Sequence, residues 1–242
     1  MLQKNKLSIV HDNNPTDAEI TVVMIHGIAS DASTYNHALE HLESDSDLKR
    51  VRFITFDLLG SGTSYSGDEL EYDYDDQLTA LDNAISELKI NIPIVLMGHS
   101  LGTFIVTRYA SLHPDIIKQL ILISPPVYTE KDFDNPAFME GIEMFKKAVS
   151  TKNPEILEEK SFKNSMKKIV LDKKNYKVLS DIKTPTILIY GDEDQLIASF
   201  NIPGLIRESE NISAIKTHGR HGVTKDKYEE IAEILKGASG AR

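Results

Sequence analysis

The chain has 242 residues, 40% hydrophobic and 26% charged, the balance of a globular protein large enough for one α/β domain with an insertion. A net charge of −10 argues against nucleic acid as the main partner, and the absence of cysteine excludes disulfides and thiolate catalysis. No apolar run reaches membrane-spanning length and the first residues lack the apolar stretch of a signal peptide, so a cytoplasmic protein with no membrane span is expected.

In chain order, residues 7–10 read as a short edge strand before a polar turn at Asn13-Asn14-Pro15. Residues 20–25, Ile-Thr-Val-Val-Met-Ile, read as a buried strand and lead into His26-Gly27-Ile28. Tyr35, Ala38, Leu39 and Leu42 fall on one helix face. The next strand, 51–56, closes in Asp57-Leu58-Leu59-Gly60-Ser61-Gly62-Thr63-Ser64. An acidic stretch at 68–76 precedes a helix with Leu78, Leu81, Ile85 and Leu88 on one side. Residues 94–97 form another buried strand, and a helix with Phe104, Ile105, Tyr109 and Leu112 starts directly after Gly98-His99-Ser100-Leu101-Gly102. Strands at 120–123, 186–190 and 212–215 and a last helix through Tyr228, Ile231 and Leu235 complete the set, with 237–242 read as a loose tail. Strands alternating with amphipathic helices predict a mostly parallel central sheet with helices on both faces.

The alternation stops at residues 128–178, which hold helical patterns at 138–149 and 154–170 and eleven Lys against nine Asp and Glu. A strand-free insertion between two strands is expected to form a small helical cap over the C-terminal edge of the sheet, where open α/β sheets bind ligands. The core is then 1–127 and 179–236. Phe138, Met144 and Phe145 on the apolar faces of the insertion are candidate substrate contacts. Its lysines read either as a solvated face or as an anion site.

The Gly98–Gly102 segment fits G-x-S-x-G between a strand and a helix. A residue that turns a strand directly into a helix is held in a strained backbone conformation, and the flanking positions must be glycine to avoid a clash. Ser100 is left exposed at a helix N-terminus, where negative charge is favoured. A hydroxyl nucleophile needs a general base, and the base needs an orienting carboxylate. Only loops at the same sheet edge qualify. Residues 186–190 are followed by Gly191-Asp192-Glu193-Asp194, and 212–215 by Thr217-His218-Gly219-Arg220-His221-Gly222, so the order is Ser, acid, His. Elsewhere the signals are structural. His37 and His41 have helical i, i+4 spacing with no third ligand, so no metal is expected. The acids at 68–76 lack the spacing of a calcium loop, and Gly60-Ser61-Gly62 lacks the partner residues of a phosphate loop.

These motifs resemble the α/β-hydrolase superfamily over about residues 20–235, in particular small capped serine esterase-like members. The matching segments are His26-Gly27, the D-x-x-G-x-G-x-S loop from Asp57, Gly98 to Gly102, the G-x-x-D loop from Gly191, and the late His221. The resemblance implies a Ser100–His221–Asp194 triad and an oxyanion hole formed by the backbone N–H groups of Ile28 and Leu101, with His26 near the substrate or orienting that loop. It implies a carboxylesterase-type serine hydrolase acting on a small-molecule ester through an acyl-enzyme, with no cofactor. Relatives of similar size imply two alternatives: C–C bond hydrolysis or elimination on an anionic substrate, or a ligand receptor that retains the triad. Thr103, where the family often has glycine, and Arg220 depart from the pattern. Oligomeric state is not legible.

Overall fold

The computed structural model describes residues 6–152, 155–156 and 159–239. Seven strands form one sheet: β1 (Ser8–Asp12), β2 (Ile20–Ile25), β3 (Val51–Asp57), β4 (Ile94–His99), β5 (Ile117–Ile123), β6 (Thr186–Gly191) and β7 (Ile212–Thr217). The helices are α1 (Asn36–Ser44), α2 (Tyr74–Glu87), α3 (Leu101–Leu112), α4 (Glu130–Phe133), α5 (Pro136–Lys152), α6 (Lys160–Ser165), α7 (Asn175–Ser180), α8 (Ile202–Glu208) and α9 (Lys225–Ser239). The sheet order is β1-β3-β2-β4-β5-β6-β7, and every pairing is parallel except that of β1 with β3. The expected mostly parallel α/β architecture is the one observed.

The central strands are apolar at most positions because both faces are covered. Val23, Ile25, Leu96, Leu120, Leu122 and Leu188 join one core cluster, shared with α2, α3 and the insertion. Val22, Met24, Val95, Met97, Ile121, Ile123 and Ile189 join the other, closed by Leu39 and Leu42 of α1 and Ile231 and Leu235 of α9. Successive side chains of a strand point to opposite faces, so a continuous apolar run feeds two cores at once.

Topology decides where the site can be. From β2 the chain steps outward to β3, and from β4 it proceeds the other way through β5, β6 and β7. The switch therefore falls between β2 and β4, and the crevice opens outside their C-terminal ends. His26-Gly27-Ile28 and His99-Ser100 stand there.

Three boundaries differ from expectation. Helix α9 continues through Gly237 and Ala238 to Ser239 instead of fraying after 236. The Lys118 ammonium donates to the Ala238 carbonyl at 2.6 Å, and a cation at a helix C-terminus is favourable. Residues 240–242 of the expected tail lie outside the described residues. The expected helical pattern at 154–170 also begins partly outside them, and continues as α6 and a π-helical turn, Met166–Val170. At the far end the expected boundary at 178 falls inside α7, whose Leu179 is buried with the core. Leu112 is exposed at the last turn of α3 and does not share its buried face.

Candidate active site

Ser100 has φ +52° and ψ −117°, the strained conformation expected between β4 and α3. A Cβ at Gly98 would sit 2.6 Å from the Gly102 carbonyl and the Thr103 nitrogen, and one at Gly102 would sit 2.3 Å from the Ile25 carbonyl oxygen. No side chain fits at either position. The strain is over-determined by bonds on both sides: Ser100 N–H donates to the Ile123 carbonyl at 3.0 Å, and Thr103 donates to the Ser100 carbonyl through its N–H at 3.0 Å and its hydroxyl at 2.5 Å. Thr103 thus adds a bond at this turn.

Asp194 and His221 meet across the ends of β6 and β7. His221 Nδ1 lies 2.9 Å from one carboxylate oxygen and 3.1 Å from the other, and the Asp194 side chain has no exposed surface. Burial pushes this carboxyl up, but bonds from His221, the Leu196 N–H and the Ser124 hydroxyl together hold it below the ordinary carboxylate range. Its competitors serve elsewhere. Asp192 accepts from the Gly219 N–H at 3.1 Å and pairs with His218, which is largely exposed, while Glu193 pairs with Arg220 on the surface.

His26 and His99 are braces. His26 is fully buried: Nδ1 donates to the Gly27 carbonyl at 2.7 Å and Nε2 accepts from the Leu58 N–H at 2.9 Å, which ties the β2 loop to the β3 loop. Burial, opposed by the Gly27 bond, lowers its pKa and keeps the ring neutral. Asp57 completes this brace by accepting from Ala32 N–H and Thr63 N–H, each at 2.8 Å. His99 donates from Nε2 to the His221 carbonyl at 2.8 Å, and burial, then the neighbouring His221, holds its pKa down to about 3.

Ser100 and His221 open on one cavity of about 300 Å³. Its walls include Ile28, Phe138, Ile142, Phe145, Met166 and Val170, so the insertion supplies most of the apolar surface. Among the described residues no direct hydrogen bond joins Ser100 Oγ to His221.

Two expected contacts are not there. Met144 is 67% exposed and does not line the cavity, because it lies off the stripe of Phe138, Ile142 and Phe145 on α5. His26 is sealed beneath the loop and reaches no cavity surface. Among the described residues the lining contains no lysine or arginine. Lysines of the insertion pair instead with surface acids: Lys160 and Lys168 with Glu71, Lys146 with Glu143, Lys177 with Asp181. No group of three or more His, Asp or Glu able to hold a metal occurs among the described residues.

The family profile described as alpha/beta hydrolase fold matches residues 20–150, more than half of the chain. The chain belongs to the α/β-hydrolase family. A probable lysophospholipase of Arabidopsis thaliana, BODYGUARD 1, is 34% identical over 128 residues, covering 52% of this chain and 27% of that protein. A (lyso)-N-acylphosphatidylethanolamine lipase of Homo sapiens is 32% identical over 126 residues, 50% of this chain and 35% of the lipase. The chain spans about a quarter to a third of the length of these curated relatives. In three dimensions it is similar to an esterase from Exiguobacterium antarcticum, with a TM-score of 0.73 at 19% identity, covering 97% of this chain and 96% of the esterase; this likeness bears on the fold.

Two residues at the site carry no sequence motif. Ser124 follows β5 as Ser100 follows β4, and that shared strand-end position was the available signal. Lys227 sits in the charged opening of α9 and reads as a solvated helix start.

Proposed function

We propose that this α/β hydrolase cleaves carboxylic esters through an acyl-enzyme, with Ser100 as nucleophile, His221 as base and Asp194 as the orienting acid. The observation that carries the reading is the buried Asp194 carboxylate bonded to His221 Nδ1, with His221 and the strained Ser100 facing one cavity. Ser100 Oγ attacks the ester carbonyl while its proton passes to His221 Nε2. The oxyanion is held by the N–H groups of Ile28 and Leu101, the latter at the N-terminus of α3, where helical N–H groups lack intrahelical partners. The C–O bond to the alcohol then breaks, and the alcohol leaves with the proton from His221. Water repeats the sequence on the acyl-enzyme and frees the acid. The Ser–His contact closes when the substrate is bound, as is common at such sites.

The insertion acts as a cap that shapes the acyl site, and the apolar walls without lysine or arginine favour uncharged esters over the anionic alternative. The names of the lipase and esterase relatives agree in reaction class. A panel of neutral p-nitrophenyl esters of graded chain length, run with wild type and Ser100→Ala, tests the proposal. Turnover by the wild type that is lost in the variant supports it; undiminished turnover in Ser100→Ala refutes it.

A further inference from the structure

Among the described residues, Lys227 is the only lysine or arginine that is buried, and it has no exposed surface. A buried ammonium is costly unless every proton is met. Here three acceptors surround Nζ: the Ser124 hydroxyl oxygen at 2.9 Å and the carbonyls of Arg220 at 2.5 Å and Gly222 at 2.7 Å. Those carbonyls flank His221, whose own carbonyl accepts from His99. Three successive carbonyls of the loop that carries the imidazole are therefore held from β4 and α9. The Ser124 hydroxyl accepts from Lys227 and, beside Asp194, helps to hold that carboxyl below its ordinary range. It is fixed in turn by φ +47° and by its N–H bond to the Ile189 carbonyl at 2.8 Å.

We propose that Lys227 is a positioning residue of the hydrolytic site: its ammonium clamps the loop on both sides of His221 and, through Ser124, orients the Asp194 carboxylate. This rests on the assignment of Ser100, His221 and Asp194 above. A methionine or leucine would fill the same space without the burial cost, but no apolar residue can supply three donors to this point. Burial pulls the ammonium down to about 8 against the attraction of Asp194, which leaves it mostly protonated at neutral pH. The titratable groups that act on it are Asp194 and His99. Both the acid and the base of the site thus depend on one side chain that touches no substrate.

The test compares wild type, Lys227→Met, Ser124→Ala and the surface control Lys225→Met on a neutral ester. It also follows the low-field proton resonance of His221 Nδ1–H. Lys227→Met should lose about 10- to 100-fold in kcat, as expected for a misplaced base, with KM within about twofold. Ser124→Ala should lose less in the same sense, and the His221 resonance should move in both. Lys225→Met should match wild type. A folded Lys227→Met with wild-type kcat and an unmoved resonance overturns the proposal. If that variant does not fold, Ser124→Ala decides, and unchanged kcat and resonance there overturn it. A wild type that hydrolyses no ester and takes no label at Ser100 would instead refute the nucleophile assignment beneath it.

Discussion

At the residue scale, the neighbours of Asp194 and His221 make the sharpest contrasts. Asp192 and Asp194 lie two positions apart, yet one carboxylate braces a surface turn while the other is sealed against an imidazole. Replacing Asp194 by Asn keeps the shape and permits the wrong imidazole tautomer, an effect of about 10⁴ in kcat in the serine-protease case. Asp194→Asn and His221→Ala are therefore expected to lose nearly all esterase activity at neutral pH. Asp192→Asn, Glu193→Gln and His218→Ala should keep most of theirs in the same assay. Asp194 also links stability to acidity. Its carboxyl is depressed in the folded chain, so it contributes stability above the ordinary carboxylate range, and that contribution is lost as the pH falls through its lower folded value. Urea unfolding at pH 7 and pH 3 should show a smaller acid-induced loss for Asp194→Asn than for wild type. An equal loss would mean that the carboxylate gains nothing from its partners.

At the scale of elements, the elbow and α5 carry the predictions. Gly102→Ala places a methyl 2.3 Å from the Ile25 carbonyl, so α3 must move off β2; a cost of roughly 1–3 kcal/mol is expected, with lost activity, by thermal unfolding and ester assay. On α5, Phe138→Ala and Phe145→Ala should shift the preferred acyl chain to longer esters, whereas Met144→Ala should leave the chain-length profile unchanged. Much of this level was legible in the sequence. The β2 run needs no structure to be read, because a strand covered on both faces is apolar at nearly every position, Thr21 being the exception, and the Ser100 elbow declares its strain through Gly98 and Gly102. Met144 was misplaced although a signal existed: it lies six residues after Phe138, about 120° away around the helix. Lys227 was not legible, because a lysine in Lys-Asp-Lys-Tyr-Glu-Glu has the pattern of a solvated helix and only the folded His221 loop supplies its acceptors. Lys160 and Lys168 gave their sign but not their direction, since their partner Glu71 comes from the core, far away in sequence.

For the whole molecule, one sheet with its order reversing between β2 and β4 gathers the loops of its six parallel strands at one edge, and the insertion between β5 and β6 lines the cavity there with apolar side chains. Charge separates by position: the paired lysines of the insertion lie at the surface, and among the described residues no lysine or arginine lines the cavity. A neutral ester should thus outpace its ω-carboxylate analogue of equal length, and the ratio should persist in salt because the penalty is desolvation, which ionic strength does not screen. Faster turnover of the carboxylate at low salt would return the lysines to the site. The central claim is that one hydroxyl, Ser100, carries the reaction. It is tested most directly by treating the folded protein with a fluorophosphonate and mapping the adduct by peptide mass spectrometry. The account predicts one adduct on the peptide containing Ser100, absent from Ser100→Ala and greatly slowed in His221→Ala; an adduct on any other residue, or undiminished labelling of Ser100→Ala, would contradict it.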